Sequence, residues 1–180
     1  VTNLPTPGKP MNMYFKFHYL GSMVEGDVYN LNLTMDQVKQ LCIAQLKDGV
    51  PVWFGCDSGA YGDRKTGVWD PDSLDFEGLL GGVDLDMTKS DRLQYLDSGA
   101  THAMILVGVN FDENGTPNRW KIENSWGEDV GKKGYFVCSN KYFDEFVYEA
   151  IINKKHLSEN QRKLLEKEPV VIEPWLVEII

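Results

Sequence analysis

Two stretches of this sequence decide its fold: residues 101–109, Thr-His-Ala-Met-Ile-Leu-Val-Gly-Val, and residues 120–126, Trp-Lys-Ile-Glu-Asn-Ser-Trp. The first is an apolar run of strand length, and the second alternates with the period of two that is typical of a half-buried strand. A turn-forming cluster, Asp-Glu-Asn-Gly at residues 112–115, separates them. We therefore predict an antiparallel hairpin that carries Asn124 and Trp126 on one face of its second strand.

The predicted hairpin brings a histidine close to an asparagine. If its loop is centred near residues 113–115, His102 lies opposite Asn124 or Trp126. Directly opposed residues have Cβ atoms about 4.5–5.5 Å apart, so an imidazole and a side-chain amide can form a hydrogen bond. A general base needs such a partner to fix its tautomer and direction. We interpret His102 as a candidate base, Asn124 as its orienting residue and Trp126 as their shield; the alternative is a structural hydrogen bond in a buried sheet.

Short helices and strands are predicted outside the hairpin. The helices cover about residues 34–47, 140–146 and 158–166, and the strands about residues 51–56, 134–138 and 147–152. Thr34 and Gln37 have the spacing of a capping box at the first helix. Residues 57–90 are rich in Gly, Asp and Ser and are predicted to form a long surface excursion, which is often a functional or binding surface.

These elements predict an α+β fold in three regions. Residues 1–33 are expected to be an extended lead-in, residues 34–152 a β-rich region that carries the histidine and the asparagine, and residues 153–180 a C-terminal helix and tail. Because the chain begins at Val1 rather than with a methionine, and opens on a Pro/Gly-rich stretch, we expect it to be a piece of a longer polypeptide.

Composition narrows the possible partners. The chain has 180 residues, of which 42% are hydrophobic, and a net charge of −9, so we expect a packed core and no general disorder. The acidic balance argues against a nucleic-acid partner and a membrane surface, because few basic groups are available to neutralise phosphates. The longest apolar run, residues 103–109, is too short to span a membrane. Three cysteines are sparse and odd in number, which favours a reducing compartment.

The three cysteines are predicted to be structural. Cys42 lies on the apolar face of the first predicted helix, and Cys138 lies in a predicted strand. Cys56 is the one rival nucleophile, but it ends a buried strand and precedes Asp57, whose charge would raise the pKa of a thiol. We therefore expect a buried structural thiol at Cys56.

No metal site is expected. His18 and His156 lack metal-ligand spacing to another His or Cys. Residues 112–115 resemble the start of a calcium loop, but the glycine comes too early and the closing glutamate is missing, so a turn is expected.

Several motifs resemble those of a known family. Thr-His-Ala at residues 101–103, followed by Asn-Ser-Trp-Gly at residues 124–127, resembles the His and Asn blocks of the papain-like cysteine peptidases. Longer matches are similar to the bleomycin hydrolase and aminopeptidase C branch of that family; they lie at residues 52–57, 63–65, 79–81, 123–128 and 131–135. The resemblance runs from about residue 14 to Trp175 and covers most of the chain.

The resemblance implies a fold and a set of roles. An upstream Cys would be the nucleophile, His102 the base that takes its proton, Asn124 the residue that orients the imidazole and Trp126 the shield. The family's Gln…Cys-Trp block does not occur in this sequence. The chain is therefore expected to be the C-terminal part of the enzyme, with the barrel-like antiparallel β half of the papain-like fold and without the helical half.

The resemblance also implies partners. These are peptide substrates, the N-terminal part of the same enzyme and further subunits of a cytoplasmic homo-hexamer, with no metal or organic cofactor. In the family, the C-terminal segment runs into the cleft and limits cleavage to free amino termini. Residues 168–172 and Trp175 fit that pattern, whereas residues 176–180, Leu-Val-Glu-Ile-Ile, replace a polar turn and small residues. Two alternatives are a non-catalytic peptide- or subunit-binding module and an enzyme that uses Cys56.

Overall fold

A computed structural model describes residues 1–17 and 27–173 and shows the predicted α+β class. The strands are β1 (Met13–Phe17), β2 (Val28–Asn32), β3 (Val52–Cys56), β4 (Gly62–Asp63), β5 (Val68–Trp69), β6 (His102–Phe111), β7 (Pro117–Glu123), β8 (Tyr135–Ser139), β9 (Val147–Ala150) and β10 (Val170–Ile172). The α-helices are α1 (Met35–Lys47), α2 (Phe76–Leu79), α3 (Lys89–Gln94), α4 (Asn140–Phe146) and α5 (Glu159–Leu164). Short 3₁₀ helices occur at Pro71–Ser73 and Lys154–His156.

The strands form two sheets. The larger has seven strands in the order β4-β5-β8-β7-β6-β3-β9, antiparallel except where β5 runs parallel to β8. The smaller has the order β10-β1-β2, with β1 and β10 parallel. The predicted hairpin is confirmed as β6 and β7. Ile105 pairs with Glu123 and, after a register shift, Val109 pairs with Trp120, close to the predicted register.

The main core lies between the seven-stranded sheet and helices α1 and α4. Trp120 and Ile122 of β7 are fully buried, and the residues between and beside them are exposed, as the period-two pattern predicts. Trp120 stacks on Phe143 of α4 with ring centroids 4.3 Å apart. Helix α1 begins at Thr34 with the predicted capping box, which supplies partners for two otherwise unpaired backbone N–H groups. The site therefore rests on a closely packed support.

The first 33 residues take part in the sheets more than the sequence indicates. Strands β1 and β2 pair along their whole length, and β1 also pairs with β10. The Asn32 side chain bonds to the backbone of Leu4 in both directions, at 2.9 and 3.0 Å. Residues of the predicted lead-in and of the predicted C-terminal region thus share one sheet, because the partner strands of β1 lie far away in sequence.

The excursion over residues 57–90 is largely exposed, as predicted, but it is anchored by a buried lysine. Lys89, at the start of α3, donates hydrogen bonds to the backbone oxygens of Asp144 and Val147, at 3.0 and 2.5 Å. Burial lowers the pKa of this amine to about 7. The amine therefore fastens the returning chain to the carboxyl end of α4, just ahead of the segment that leads into β6.

Across residues 1–17 and 27–173, none of the helices combines the length and the apolar character that crossing a membrane requires.

Candidate active site

The structure brings His102 and Asn124 together. His102 is the first residue of β6, and its backbone is fixed beside Cys56 in β3. Asn124 follows the last residue of β7. The Nε2 atom of His102 lies 2.9 Å from Oδ1 of Asn124. A carbonyl oxygen only accepts, so Nε2 carries the proton and donates it to this bond.

The direction of the Asn124 amide is set by its own loop. Its Oδ1 also accepts a hydrogen bond from the backbone N–H of Ser125, at 2.8 Å. With the amide oxygen held toward the ring by two donors, His102 is kept in the tautomer that leaves Nδ1 unprotonated. Nδ1 has no hydrogen-bond partner among residues 1–17 and 27–173. It is therefore the ring nitrogen available for proton exchange.

Trp126 covers the pair. Its indole lies nearly parallel to the His102 imidazole, with an interplanar angle of 20° and ring centroids 5.0 Å apart. The Trp126 indole has two further aromatic neighbours. The Phe136 ring meets it edge-to-face, with centroids 5.7 Å apart, and the centroid of the Trp69 ring lies 6.1 Å away. All three residues that the sequence singles out thus form one contiguous group, in which an aromatic wall limits the access of water to the hydrogen bond.

Arg64 joins this group, although in the sequence it stands out only as part of a matched segment. The carbon of its guanidinium lies 4.4 Å from the centroid of the Trp126 ring, which is a cation–π contact. Arg64 sits in the turn between β4 and β5, far from Trp126 along the chain. Spacing within one hairpin cannot reveal such a contact, which depends on how two separate loops pack.

A buried polar network supports the residues just before His102. The Asp57 carboxylate accepts a hydrogen bond from the Ser98 hydroxyl, at 2.7 Å, and that hydroxyl also bonds to the Tyr148 hydroxyl, at 2.7 Å. Thr101 donates its backbone N–H to the oxygen of Cys56, at 3.0 Å. The sequence showed Asp57 only as a neighbour of Cys56. In the fold, its carboxylate ties the segment that enters β6 to the end of β3.

The three cysteines are free thiols and are all buried. Burial raises the pKa of Cys56 to about 12; the hydrogen bond from the Tyr142 hydroxyl opposes this shift, and the Asp57 charge adds to it by a smaller amount. Burial also raises the pKa of Cys42 to about 12 and that of Cys138 well above its usual range. A nucleophilic cysteine requires an accessible thiolate, and none of these thiols provides one at neutral pH. The predicted structural role of Cys56 agrees with its burial.

We expect Cys56 to resist a thiol reagent in the folded protein. At pH 7.5, iodoacetamide should leave Cys56 unmodified, and it should label the thiol only after denaturation, because the native group is both buried and protonated. Peptide mapping by mass spectrometry measures this, with Cys138 as an equally buried internal control. Rapid labelling of Cys56 alone in the native state would contradict the structural role.

The other candidate ligand groups do not join the site. His156 lies 3.6 Å from Asp48, and His18 falls outside the described residues. Within the described part of the chain, the carboxylates that could together hold a metal ion belong to Glu77, Asp84 and Asp86. All three are exposed, and two of them accept hydrogen bonds from backbone N–H groups of their own loop.

Comparison with known proteins shows a family likeness that covers almost the whole chain. The model of the peptidase C1-like family matches residues 1–177. Aminopeptidase C of Lactococcus lactis subsp. cremoris is 44% identical over 176 residues, which are 97% of this chain and 40% of that protein. Bleomycin hydrolase of Mus musculus is 42% identical over 178 residues, covering 96% of this chain and 39% of the relative.

A solved structure has the same fold. The crystal structure of PepW from Lactobacillus rhamnosis superimposes with a TM-score of 0.92 at 44% sequence identity, covering 97% of this chain and 40% of that one. The predicted papain-like fold is confirmed by this match and by the family model. The chain spans about 40% of the length of the relatives it matches.

Proposed function

This chain belongs to the peptidase C1-like family, and we propose that it supplies the base and the orienting residue of a cysteine aminopeptidase whose nucleophilic thiol lies outside these residues. The observation that carries the proposal is the hydrogen bond from His102 Nε2 to Asn124 Oδ1. It directs Nδ1 away from the asparagine, toward the position where a thiol and a substrate would meet. The relatives named aminopeptidase C support the class of reaction.

The proposed reaction uses His102 twice. The imidazole takes the proton of the thiol at Nδ1, and the thiolate attacks the carbonyl carbon of the first peptide bond. The imidazolium then gives the proton to the departing amine, which leaves an acyl-enzyme. Water, deprotonated by the neutral imidazole, hydrolyses the thioester and restores the thiol. Asn124 holds the ring in one orientation throughout.

The thiol must come from other residues because the three present here are buried and protonated. We place it on an N-terminal part of the same enzyme, which would pack against the face formed by His102, Asn124 and Trp126. By resemblance, we extend the proposal to a cytoplasmic homo-hexamer that acts on peptides.

Restriction to amino termini is a further part of this proposal. In β10, residues 170–172 pair with β1. Trp175 and residues 176–180, on which the predicted blocking of the cleft depends, lie outside the described residues. Removal of residues 173–180 from the full-length enzyme should convert it to one that also cleaves peptides with blocked amino termini.

The alternative, a non-catalytic binding module, is favoured by one observation: every thiol of this chain is buried. The two functions differ in a direct test. The purified 180-residue chain should release no p-nitroaniline from an aminoacyl p-nitroanilide, whereas the full-length polypeptide should release it and lose this activity on treatment with iodoacetamide. Turnover by the isolated chain, abolished by His102→Ala, would contradict the placement of the thiol. A full-length polypeptide without turnover would favour the binding module.

A further inference from the structure

Arg64 is a cation beside the candidate site whose charge is not neutralised by a described carboxylate. Its guanidinium packs on the Trp126 indole, and the same indole stacks on His102. Within residues 1–17 and 27–173, no Asp or Glu forms an ion pair with it, and its side chain is exposed. An unpaired guanidinium in this position is available to an anion that enters the site.

The position of Arg64 is well defined by its turn. The Asp63 carboxylate accepts hydrogen bonds from the Lys65 N–H, at 2.8 Å, and from the Thr66 hydroxyl, at 2.9 Å, which hold its pKa below the usual range. The Arg64 backbone oxygen accepts from the Gly131 N–H, at 3.0 Å, and so joins the turn to the loop that follows Trp126.

Two glycines allow this close approach. A Cβ at Gly67 would lie 2.7 Å from the Cα of Gly131, and both residues have positive φ. The loop that carries Arg64 and the loop after Trp126 are therefore packed backbone against backbone. A cation on such a support can bind a ligand at little cost in ordering the protein.

The chemistry of the proposed reaction decides which part of a substrate Arg64 would meet. His102 gives its proton to the departing amine at Nδ1, because Nε2 is bonded to Asn124. The departing group thus lies on the His102 side of the cleft, where the Trp126 indole forms a wall. Arg64 lies at that same indole. The acyl part of the substrate, bonded to the thiol, lies on the other side of the broken bond.

The distances suit a single amino acid as the departing group. The guanidinium can be no farther from the imidazole than the sum of the 5.0 Å and 4.4 Å contacts with Trp126. An amino acid has its carboxylate carbon about 2.5 Å from its nitrogen, and hydrogen bonds of about 3 Å at each end complete the span. The span of about 8.5 Å is comparable with this upper limit, so a carboxylate two bonds from the departing nitrogen can meet the guanidinium, the side chain best suited to bind it.

We propose that Arg64 is a specificity-determining residue that binds the free carboxylate of the departing amino acid, so that the enzyme favours dipeptides over the same substrates without that carboxylate. This inference rests on the proposed function, since it needs His102 to face the departing amine. It assigns to Arg64 a contact with substrate and none with the thiol. The contact is charge-assisted, and its loss would weaken binding of substrates that carry the carboxylate.

The test compares the full-length enzyme with its Arg64→Gln variant on Ala-Ala, on Ala-Ala amide and on alanyl p-nitroanilide. For Ala-Ala, kcat/KM should fall about tenfold, mainly through a higher KM, as expected for the loss of a hydrogen-bonded ion pair. For the amide and the anilide, which have no carboxylate, it should change less than twofold. Arg64→Lys should recover part of the loss on Ala-Ala only, because it keeps the charge but not the planar fork.

Lys65→Gln is the matched control, since it removes the same charge from the adjacent residue of the same turn. Its kinetics should equal those of the wild-type enzyme on all three substrates. If Arg64→Gln lowered kcat/KM equally on all three substrates, Arg64 would only support Trp126. If Lys65→Gln lowered kcat/KM for Ala-Ala as much as Arg64→Gln does, the effect would come from the positive charge of the turn in general. Either result overturns the inference. A wild-type enzyme inactive on every substrate would instead refute the proposed function on which the inference rests.

Discussion

Replacing His102 with alanine in the full-length enzyme should lower kcat/KM for an aminoacyl p-nitroanilide by about 10⁴-fold. The imidazole is proposed both to generate the thiolate and to protonate the departing amine, so its removal affects two steps. KM should change little, because the ring contributes proton transfer rather than binding of the ground state. Steady-state kinetics at several substrate concentrations separate the two constants.

His156→Asn is a suitable control for this substitution. His156 lies 3.6 Å from Asp48, at the end of helix α1, and within the described residues it forms no hydrogen bond with His102 or Asn124. Its replacement should leave kcat/KM within about twofold of the wild-type value, as is usual for a substitution that touches no reacting group. If His102→Ala retained more than a tenth of the wild-type activity, His102 would have a structural role in the sheet rather than that of the base.

The geometry of the central hairpin could be predicted because short-range information determines it. The turn cluster at residues 112–115 fixes where the strands reverse, and the period-two pattern of residues 120–126 fixes which face is buried. Together they place His102 near Asn124 before any long-range contact is known. The register shifts between Leu106 and Gly108 and again after Asn110 were not predicted, although an isolated glycine inside a strand, as at Gly108, is a signal of a bulge.

The supporting contacts of the site could not be predicted from the sequence, because they join distant segments. Arg64 meets Trp126 only through the packing of two loops, and Ser98 meets Asp57 across a separation of 41 residues. Nothing in the sequence marks Lys89 as buried, yet the fold buries its amine against the end of α4. Hydrophobic periodicity reports which face an element buries, but it does not report which polar groups meet there.

The dependence on distant segments also explains why the sheet pairing of the first 33 residues could not be predicted. Strands β1 and β2 lie in a sheet completed by β10, which the chain reaches about 140 residues later. The sequence of the first strand therefore shows an extended piece, but not the partner that makes it part of a sheet. By contrast, the capping box at Thr34 is complete within four residues and was predicted correctly.

Replacing Asn124 with alanine should lower kcat by about 10- to 100-fold, a smaller loss than that of His102→Ala. The ring keeps its proton-transfer chemistry and its stacking on Trp126, but it loses the acceptor that selects one tautomer and one orientation. Asn124→Asp should retain more activity than Asn124→Ala, because it keeps an oxygen acceptor for Nε2. Thermal unfolding of each variant identifies any loss that arises from the Ser125 N–H bond to the same oxygen.

The double variant decides whether the two residues act as a unit. If Asn124 acts only by holding the imidazole, then His102→Ala with Asn124→Ala should be no slower than His102→Ala alone, because there is no ring left to orient. An additional tenfold loss in the double variant would mean that Asn124 has a role independent of His102. Equal losses for the two single variants would contradict the ranking, and they would mean that orientation of the imidazole matters as much as the proton that it transfers.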